Sequence, residues 1–479
     1  MSRAKSYWIA GVSLGLVLSA SPARADTTRD ELKALRQQLE ALSQKVQLLE
    51  EKHVRDQEAL SQVQATQRTT ELAQAAVAAK AKAAPIVSVG AGGLQVRSAD
   101  SNFVFGIRGY LQADGRFGVA SSAATYNDTF LMRRVRPIFE GALYQYVDYR
   151  ILLEFGTGTL ANTLNNSLLL DAYANLRFLP ELQLQVGKMK QPSGLERGQS
   201  TANLLFIETG FPTLLTPNYS VGAMFQGDLF GRKLNYQAGV FNSVPDCGSS
   251  DFQTFEQGNL AGRVFATPFK DSGVKALERF GVGVGGTYGS LTGNALANYK
   301  TTGQQAAFPY LANVTADGEQ WRFIPQGNYY WGPFGLYAEY AVASQEVCRS
   351  GTTPVRTGTL VTRAWQVAAS YFVTGERNTW KPVAVKHPFT FTRDRGWGAV
   401  ELAARIQGIN FDEAAFPTFA ASGTAPTGAF GWGVGVNWFW NRNLKLSLNY
   451  ENTDFQGGSQ NQATAQNEQL VLTQLQLSF

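Results

Sequence analysis

From Phe103 to Phe479 the chain repeatedly alternates apolar and polar residues at every second position. In the last ten residues, for example, Val471, Leu475 and Leu477 share one face with Phe479, and Gln474, Gln476 and Ser478 occupy the other. A period of two predicts β-strands with one apolar and one polar face. Sixteen such segments can be counted, each about ten residues long, which is the length of a tilted strand that crosses a membrane. Their cores begin near Phe103, Met132, Val147, Leu168, Leu182, Ser220, Leu234, Leu260, Phe280, Gln320, Phe334, Val361, Gly398, Phe430, Leu444 and Gln469.

The connections between these segments alternate in length. Those after even-numbered segments are mostly tight and those after odd-numbered segments are mostly long, although residues 374–397 make one long exception. Short periplasmic turns and longer extracellular loops alternate in this way in outer-membrane barrels. The pattern predicts an all-β transmembrane barrel of about 16 antiparallel strands, with both barrel ends on the periplasmic side. A large soluble β-protein has the same period, so a single strand does not decide between the two.

The N-terminal part of the chain has a different period. Leu32, Leu35, Leu39, Leu42, Val46 and Leu49 recur at spacings of three and four, and the register continues through His53. This heptad pattern predicts a short α-helical coiled coil ahead of the barrel. Pro85 and a group of glycines then mark a boundary.

A targeting segment precedes the heptads. Arg3 and Lys5, an apolar run from Trp8 to Leu18 and the small residues around Ala25 are typical of a cleaved secretory signal, with a retained anchor as the alternative. The predicted organisation is therefore a signal peptide at residues 1–25, a periplasmic coiled coil at 26–84, a linker at 85–102 and the barrel at 103–479.

The net charge of the chain is +5 and includes three basic residues of the signal segment. The overall charge therefore says little about a partner, and we expect no nucleic acid. Any preference for anions must come from where the charges lie. Basic residues on the predicted polar faces, near the rim at the start of the second strand, or at and within the third long connection are the candidate pore-lining side chains. They are Arg108, Arg116, Arg133, Arg134, Arg136, Lys188, Lys190, Arg197, Arg405 and Lys445.

Three segments resemble the phosphate-selective porin O/P family. Residues 132–136 (MRRVR) resemble its RRxR strand, residues 186–196 (VGKMKQPSGLE) its G-x-x-K-x-P-x-G-L-E segment, and residues 374–405 its TGE…P-F…GAxELAAR stretch. The resemblance implies a homotrimeric channel in the outer membrane of a Gram-negative bacterium, in contact with outer-membrane lipid. It further implies a third loop folded into the pore and basic side chains that attract small anions such as phosphate. The terminal aromatic, Phe479, resembles the signal read by the barrel-assembly machinery.

Acidic residues leave the selectivity open. Asp114, Glu140 and Glu154 lie near the basic candidates in sequence, and Glu196 and Glu208 fall within the third loop. Paired wall charges are typical of general porins, whereas unpaired basic residues favour phosphate. The two hypotheses are an anion-preferring porin with phosphate or polyphosphate selectivity, and a general porin whose coiled coil also tethers the membrane to the cell wall.

Cysteine and histidine usage bears on other classes of function. Cys247 and Cys348 are predicted to lie in the extracellular connections after strands seven and eleven, where a disulfide is an open alternative to two free thiols. The two histidines are His53 and His387, and no GxSxG or HExxH motif occurs. We therefore expect no enzyme, no metal site and no cofactor.

Overall fold

The computed structural model describes most of the chain. The described residues are 27–119, 128–156, 168–252, 258–297, 299–304, 308–390, 396–457 and 467–479. The predicted signal peptide lies outside them. They divide into two compact units that meet in sequence at Lys82 and Ala83, and each unit is described by itself.

The first unit is one long helix, α1 (Thr27–Ala83, 57 residues). The leucines of its heptad seam are exposed, from 60% for Leu32 and Leu35 to 66% for Leu39. An apolar seam of this kind is ordinarily covered by a partner helix. None of the helices in the described part of the chain is both long and apolar enough to cross a membrane.

A β-hairpin occupies the region that the sequence predicted as a linker. Strands β1 (Ile86–Gly90) and β2 (Gly93–Arg97) pair with each other, and β2 then pairs with the first barrel strand from Leu94 to Arg97. The hairpin was not predicted because five-residue strands are too short to show a convincing alternation.

The second unit is an antiparallel barrel of sixteen strands, which confirms the predicted fold class. The strands are β3 (Phe103–Gly118), β4 (Thr129–Leu143), β5 (Val147–Leu153), β6 (Leu169–Leu179), β7 (Leu182–Lys190), β8 (Tyr219–Leu229), β9 (Leu234–Asn242), β10 (Gly258–Ala266), β11 (Phe280–Ala295), β12 (Val314–Trp331), β13 (Phe334–Arg349), β14 (Arg356–Phe372), β15 (Ala399–Asn410), β16 (Gly428–Phe439), β17 (Leu444–Gln456) and β18 (Glu468–Ser478). Each pairs with the next, and β18 pairs with β3 to close the barrel. Closure leaves no free sheet edge among these sixteen strands.

Side-chain exposure follows the predicted alternation. Along β16, Phe430, Trp432 and Val434 point outward and are 38–47% exposed, whereas Asn437 on the inner face is 1% exposed. An apolar outer face and a polar inner face are what a barrel in lipid requires.

The interior is substantially filled. Toward the end with the longer loops, an apolar cluster joins inward residues of β12 to β15 with Phe211 and with residues of later connections. Within it, the ring of Phe308 stacks on that of Phe411 at 4.2 Å. These side chains narrow the passage through the barrel at this end.

Candidate functional site

The connection between β7 and β8 crosses the interior of the barrel. We call residues 191–218 the constriction loop. It contains two short helices, α2 (Leu195–Gly198) and α3 (Phe211–Leu214). Its backbone N–H of Ile207 donates to Asn449 Oδ1 on β17 at 2.8 Å, and that of Phe211 donates to Gln407 Oε1 on β15 at 2.9 Å. The loop that the resemblance implied as a constriction thus lies against several different parts of the wall.

One contact of the loop depends on a glycine. A Cβ atom added at Gly285 on β11 would lie 1.9 Å from Ser193 O of the constriction loop. That distance is a severe clash, so the loop backbone can approach this strand only because residue 285 has no side chain.

Arginines of β3 and β4 surround a carboxylate on the loop. Arg133 donates to Glu208 through Nε at 2.7 Å and Nη2 at 3.1 Å, Arg116 pairs with the same carboxylate, and an Arg134 nitrogen lies 3.8 Å away. Burial alone would raise the pKa of Glu208, but the three arginines outweigh it and hold the pKa well below its usual range. Arg116 is also paired with Asp114 at 2.9 Å. These cations are largely neutralised, and they hold the loop in place.

Two further arginines anchor the same loop. Arg136 pairs with Glu154 at 2.6 Å and donates to Thr201 Oγ1 of the loop at 2.8 Å. Arg405 is 2% exposed, pairs with Glu451 at 2.7 Å and donates to Glu208 O at 3.0 Å. Both guanidinium groups are paired with carboxylates of the protein. Neither therefore faces the passage as a free cation.

A group of carboxylates and neutral donors fixes the loop to the wall at β13 and β14. Glu339 accepts from the backbone N–H groups of Leu195 at 2.5 Å and Glu196 at 3.2 Å. Gln366 Nε2 donates to Glu339 at 3.0 Å and to Glu196 at 3.2 Å, and Tyr337 also donates to Glu196. The carboxyl groups of Glu196 and Glu339 are thereby buried between the loop and the wall.

Two candidate cations next to the constriction loop, Lys190 and Arg197, lack a carboxylate partner among the described residues. Lys190 Nζ donates to Gln199 O at 2.8 Å and lies 5.7 Å from the ring centre of Tyr219. Arg197 donates to Thr216 Oγ1 at 2.8 Å and Thr213 O at 2.7 Å, both neutral acceptors. Within the described residues, no carboxylate oxygen lies within 4.0 Å of either cation. Both are partly exposed, and they lie within electrostatic range of each other.

Lys300 is a third cation at this level, and sequence reasoning missed it. It lies in the connection between β11 and β12, partly exposed. Burial is the main cause that lowers the pKa of Lys300, and the nearby positive charges of Arg133 and Arg116 lower it further. No motif or alternation marks this position, so only the folding of the connection into the barrel brings it to the site.

The remaining basic candidates have other surroundings. Arg108, 45% exposed along its side chain, pairs with Glu140 at 2.7 Å, and Lys188 is buried and paired with Asp251. Lys445 is buried with its ammonium 5.8 Å from the ring centre of Phe439. Arg108 and Lys188 are therefore paired with carboxylates. Lys445 has no carboxylate oxygen within 4.0 Å among the described residues and is buried on β17.

The two cysteines do not form the disulfide that was left open from the sequence. Both thiols are free. Cys247 Sγ lies 3.2 Å from Leu214 O in the constriction loop. Cys348 lies within β13 rather than in the following connection, because β13 continues to Arg349.

The long connection between β14 and β15 narrows the interior of the barrel a second time, at the end with the short turns. The backbone N–H of Asn378 donates to Gly332 O at 2.8 Å, and its side chain donates to Ser370 Oγ at 2.7 Å. Trp380 packs edge-on against Tyr337 with ring centres 5.7 Å apart. The connection that departed from the short-turn pattern is thus folded against inward residues of the barrel.

Comparison with known proteins gives the family. The family model for "Phosphate-selective porin O and P" matches residues 105–479. Porin O of Pseudomonas aeruginosa is 25% identical over 412 residues, which cover 78% of this chain and 90% of that protein. Among solved structures, the channel DcaP of Acinetobacter baumannii matches with a TM-score of 0.49 at 10% identity, over 80% of this chain and 99% of DcaP. The anion-selective porin of Comamonas acidovorans matches with a TM-score of 0.48 at 12% identity, over 79% and 100% of the two chains.

The family match covers the whole barrel, including the three segments whose resemblance was noted in the sequence. The chain belongs to the phosphate-selective porin O and P family and is a porin of the Gram-negative outer membrane.

Proposed function

We propose that this porin prefers anions and that its constriction is suited to phosphate-sized oxyanions. The observation that carries the proposal is that Lys190 and Arg197 lie at the constriction loop without a carboxylate partner among the described residues. Low-dielectric walls focus the field of a few charges at a narrow place. Uncompensated cations there attract anions far more than the net charge of the chain suggests.

The chemistry of Arg197 favours an oxyanion. A guanidinium can donate two parallel hydrogen bonds to a phosphate or carboxylate, whereas the Lys190 ammonium acts as a compact charge. In the structure both groups bond neutral oxygens, which a passing anion can replace without breaking an ion pair. Such binding is weak enough to allow release, as conduction requires. The description of the family as phosphate-selective supports the same interpretation.

The test is the reversal potential of the reconstituted channel in a planar bilayer under a KCl gradient. We expect the wild type to reverse toward anions, and Lys190→Gln with Arg197→Gln to lower the chloride-to-potassium permeability ratio about tenfold, or about 1.4 kcal/mol. Lys275→Gln is the control, because Lys275 is exposed on the turn side. Cation-directed reversal of the wild type would overturn the anion preference. Chloride current that millimolar phosphate leaves unblocked would overturn the phosphate part alone.

We also propose that the porin is a homotrimer whose α1 helices form a periplasmic coiled coil. The exposed leucine seam of α1 supports association between helices. An even number of strands places both barrel ends on the side of the short turns, which is periplasmic in such barrels. Removal of residues 26–82 should lower the temperature at which the oligomer dissociates and leave the conductance of each pore unchanged. Unaltered dissociation combined with detachment of the envelope would favour a tether to the cell wall instead.

A further inference from the structure

The hairpin of β1 and β2 continues the barrel wall past the end of β18. Phe479, the last residue, exchanges backbone hydrogen bonds with Gly109 of β3 at 2.8 and 2.9 Å. Two residues further toward the start of β3, Ile107 pairs instead with Leu94 of β2. Asn443 Nδ2 donates both to Ala91 O in the hairpin turn at 3.0 Å and to Ser478 O at 2.7 Å. The hairpin is therefore tied to the barrel at its turn as well as along its ladder.

One face of the hairpin is apolar and continuous with the outside of the barrel. The strand registers set Val87 beside Val96 and Phe105, and Val89 beside Leu94 and Ile107. Phe105 and Ile107 alternate with Arg108, so they lie on the outer face of β3. Val87 is 60% exposed and Val89 is 80% exposed. Apolar side chains that are this exposed on adjoining strands form a patch of the kind that proteins use for association.

The outer edge of β1 is also unpaired. β1 pairs with β2 along one side, and among the described strands none pairs with its other side. Hydrocarbon cannot satisfy the backbone N–H and C=O groups of such an edge, so lipid is a poor cover for it. In water, an apolar edge strand is a template for pairing with another chain. A protein surface can both cover the apolar face of the hairpin and supply hydrogen-bond partners to the backbone at the edge of β1.

The position of the hairpin in the chain indicates that the protein covering β1 is a second copy of this chain. Two residues, Ala84 and Pro85, separate α1 from β1, and two residues span about 7 Å at most. Helices that associate through the leucine seam of α1 would therefore bring the hairpins of neighbouring copies close together. We infer that the β1–β2 hairpin is a contact surface between copies of this chain, with the edge and apolar face of β1 against a neighbouring copy. The inference rests on the proposed coiled-coil trimer.

Cross-linking of the full chain in outer-membrane vesicles tests this contact. In a background of Cys247→Ser and Cys348→Ser, Val89→Cys is treated with a short bismaleimide and resolved on a denaturing gel. We expect covalent dimers from Val89→Cys, because each chain then has one thiol and a bismaleimide joins two thiols. We expect none from Lys275→Cys, which is exposed on the turn side far along the chain from the hairpin. Heat-modifiable migration of each variant verifies that its barrel has folded, and Val87→Cys replaces any variant that fails this check.

Two further measurements separate the outcomes. Leu39→Cys reports on the coiled coil, so cross-linking at Leu39 but not at Val89 overturns the hairpin contact and leaves the trimer standing. Cross-linking at neither position contradicts both. A cysteine at position 89 that does not cross-link, and that reacts with a lipid-soluble maleimide but not with a water-soluble one, is covered by lipid, which also overturns the inference. Finally, Val89→Asp should lower the temperature of oligomer dissociation while single-channel conductance stays unchanged.

Discussion

Arg133 Nε donates a hydrogen bond of 2.7 Å to Glu208 Oε1, although the two residues are 75 positions apart in the chain. The bond joins β4 to the constriction loop. With Arg116 and Arg134 it places one carboxylate among three cations at the narrow part of the barrel. The arginines of β4 are therefore used to hold the loop. In the proposed function, the attraction of anions falls to Lys190 and Arg197, which have no carboxylate partner among the described residues.

Glu208→Gln should destabilise the barrel strongly. The substitution leaves buried Arg116 and Arg133 without their shared counter-ion, and breaking a buried ion pair costs about 3–5 kcal/mol. We expect that loss in the free energy of unfolding measured by denaturant titration in lipid vesicles. The control is Asp228→Asn, whose partner Arg232 is 75% exposed along its side chain at 3.7 Å. Such a surface pair contributes about 0–1 kcal/mol. Equal losses in the two variants would contradict the anchoring role.

The stabilisation from Glu208 should also depend on pH in a defined direction. Its folded-state pKa is depressed, and an unfolded glutamate has a pKa of about 4.3. The contribution is therefore complete above about pH 4.3 and falls as the pH drops below that value toward the folded-state pKa. Unfolding free energies at pH 7 and pH 3 should show a smaller difference between wild type and Glu208→Gln at pH 3. A difference that is the same at both pH values would contradict this assignment.

The fold was predictable from the sequence because the strand period is local. Alternation along segments such as Leu470–Phe479, together with turn spacing, is sufficient to count sixteen strands and to identify their lumenal faces. The short strands β1 and β2 were missed because five residues do not establish a period. Cys348 was misplaced because β13 extends to Arg349, directly before the turn residues Ser350 and Gly351, and the length of a strand beyond its core is not visible in the alternation.

The site was predictable only in outline. Alternation identifies Arg116 and Arg136 as inward residues, but it cannot show that Glu208 and Glu154 neutralise them. Partners across the lumen depend on how a loop folds back, which no local pattern encodes. Lys300 illustrates the same limit, because it reaches the constriction from a connection without regular structure.

Gly285→Ala should displace the constriction loop. The new Cβ would lie 1.9 Å from Ser193 O, so either the loop or β11 must move. Overpacking of this kind typically costs about 1–3 kcal/mol. We expect a changed single-channel conductance and a noisier open state in planar-bilayer recordings. Gly262→Ala on the adjacent β10 is a matched control, since its added Cβ would meet its nearest atom, Gln237 O, at 3.4 Å. Unchanged conductance in both variants would show that the loop position is not set by this contact.

Phe479→Ala should reduce the amount of assembled porin more than it reduces the stability of the folded barrel. The backbone of Phe479 pairs with Gly109, and this pairing does not need the aromatic ring. The ring is 44% exposed, so its truncation removes little buried area. If the ring is read by the barrel-assembly machinery, the variant should accumulate as unfolded precursor in cells, with a several-fold loss of heat-modifiable protein in outer-membrane fractions. Leu477→Ala, which truncates another outward side chain of β18 that is 42% exposed, serves as the control.

Refolding of the protein in detergent separates a role of the Phe479 ring in assembly from a role in stability, because Phe479→Ala should then match the wild type in both yield and unfolding free energy. Equal losses for Phe479→Ala in cells and in refolding would instead assign the ring to barrel stability.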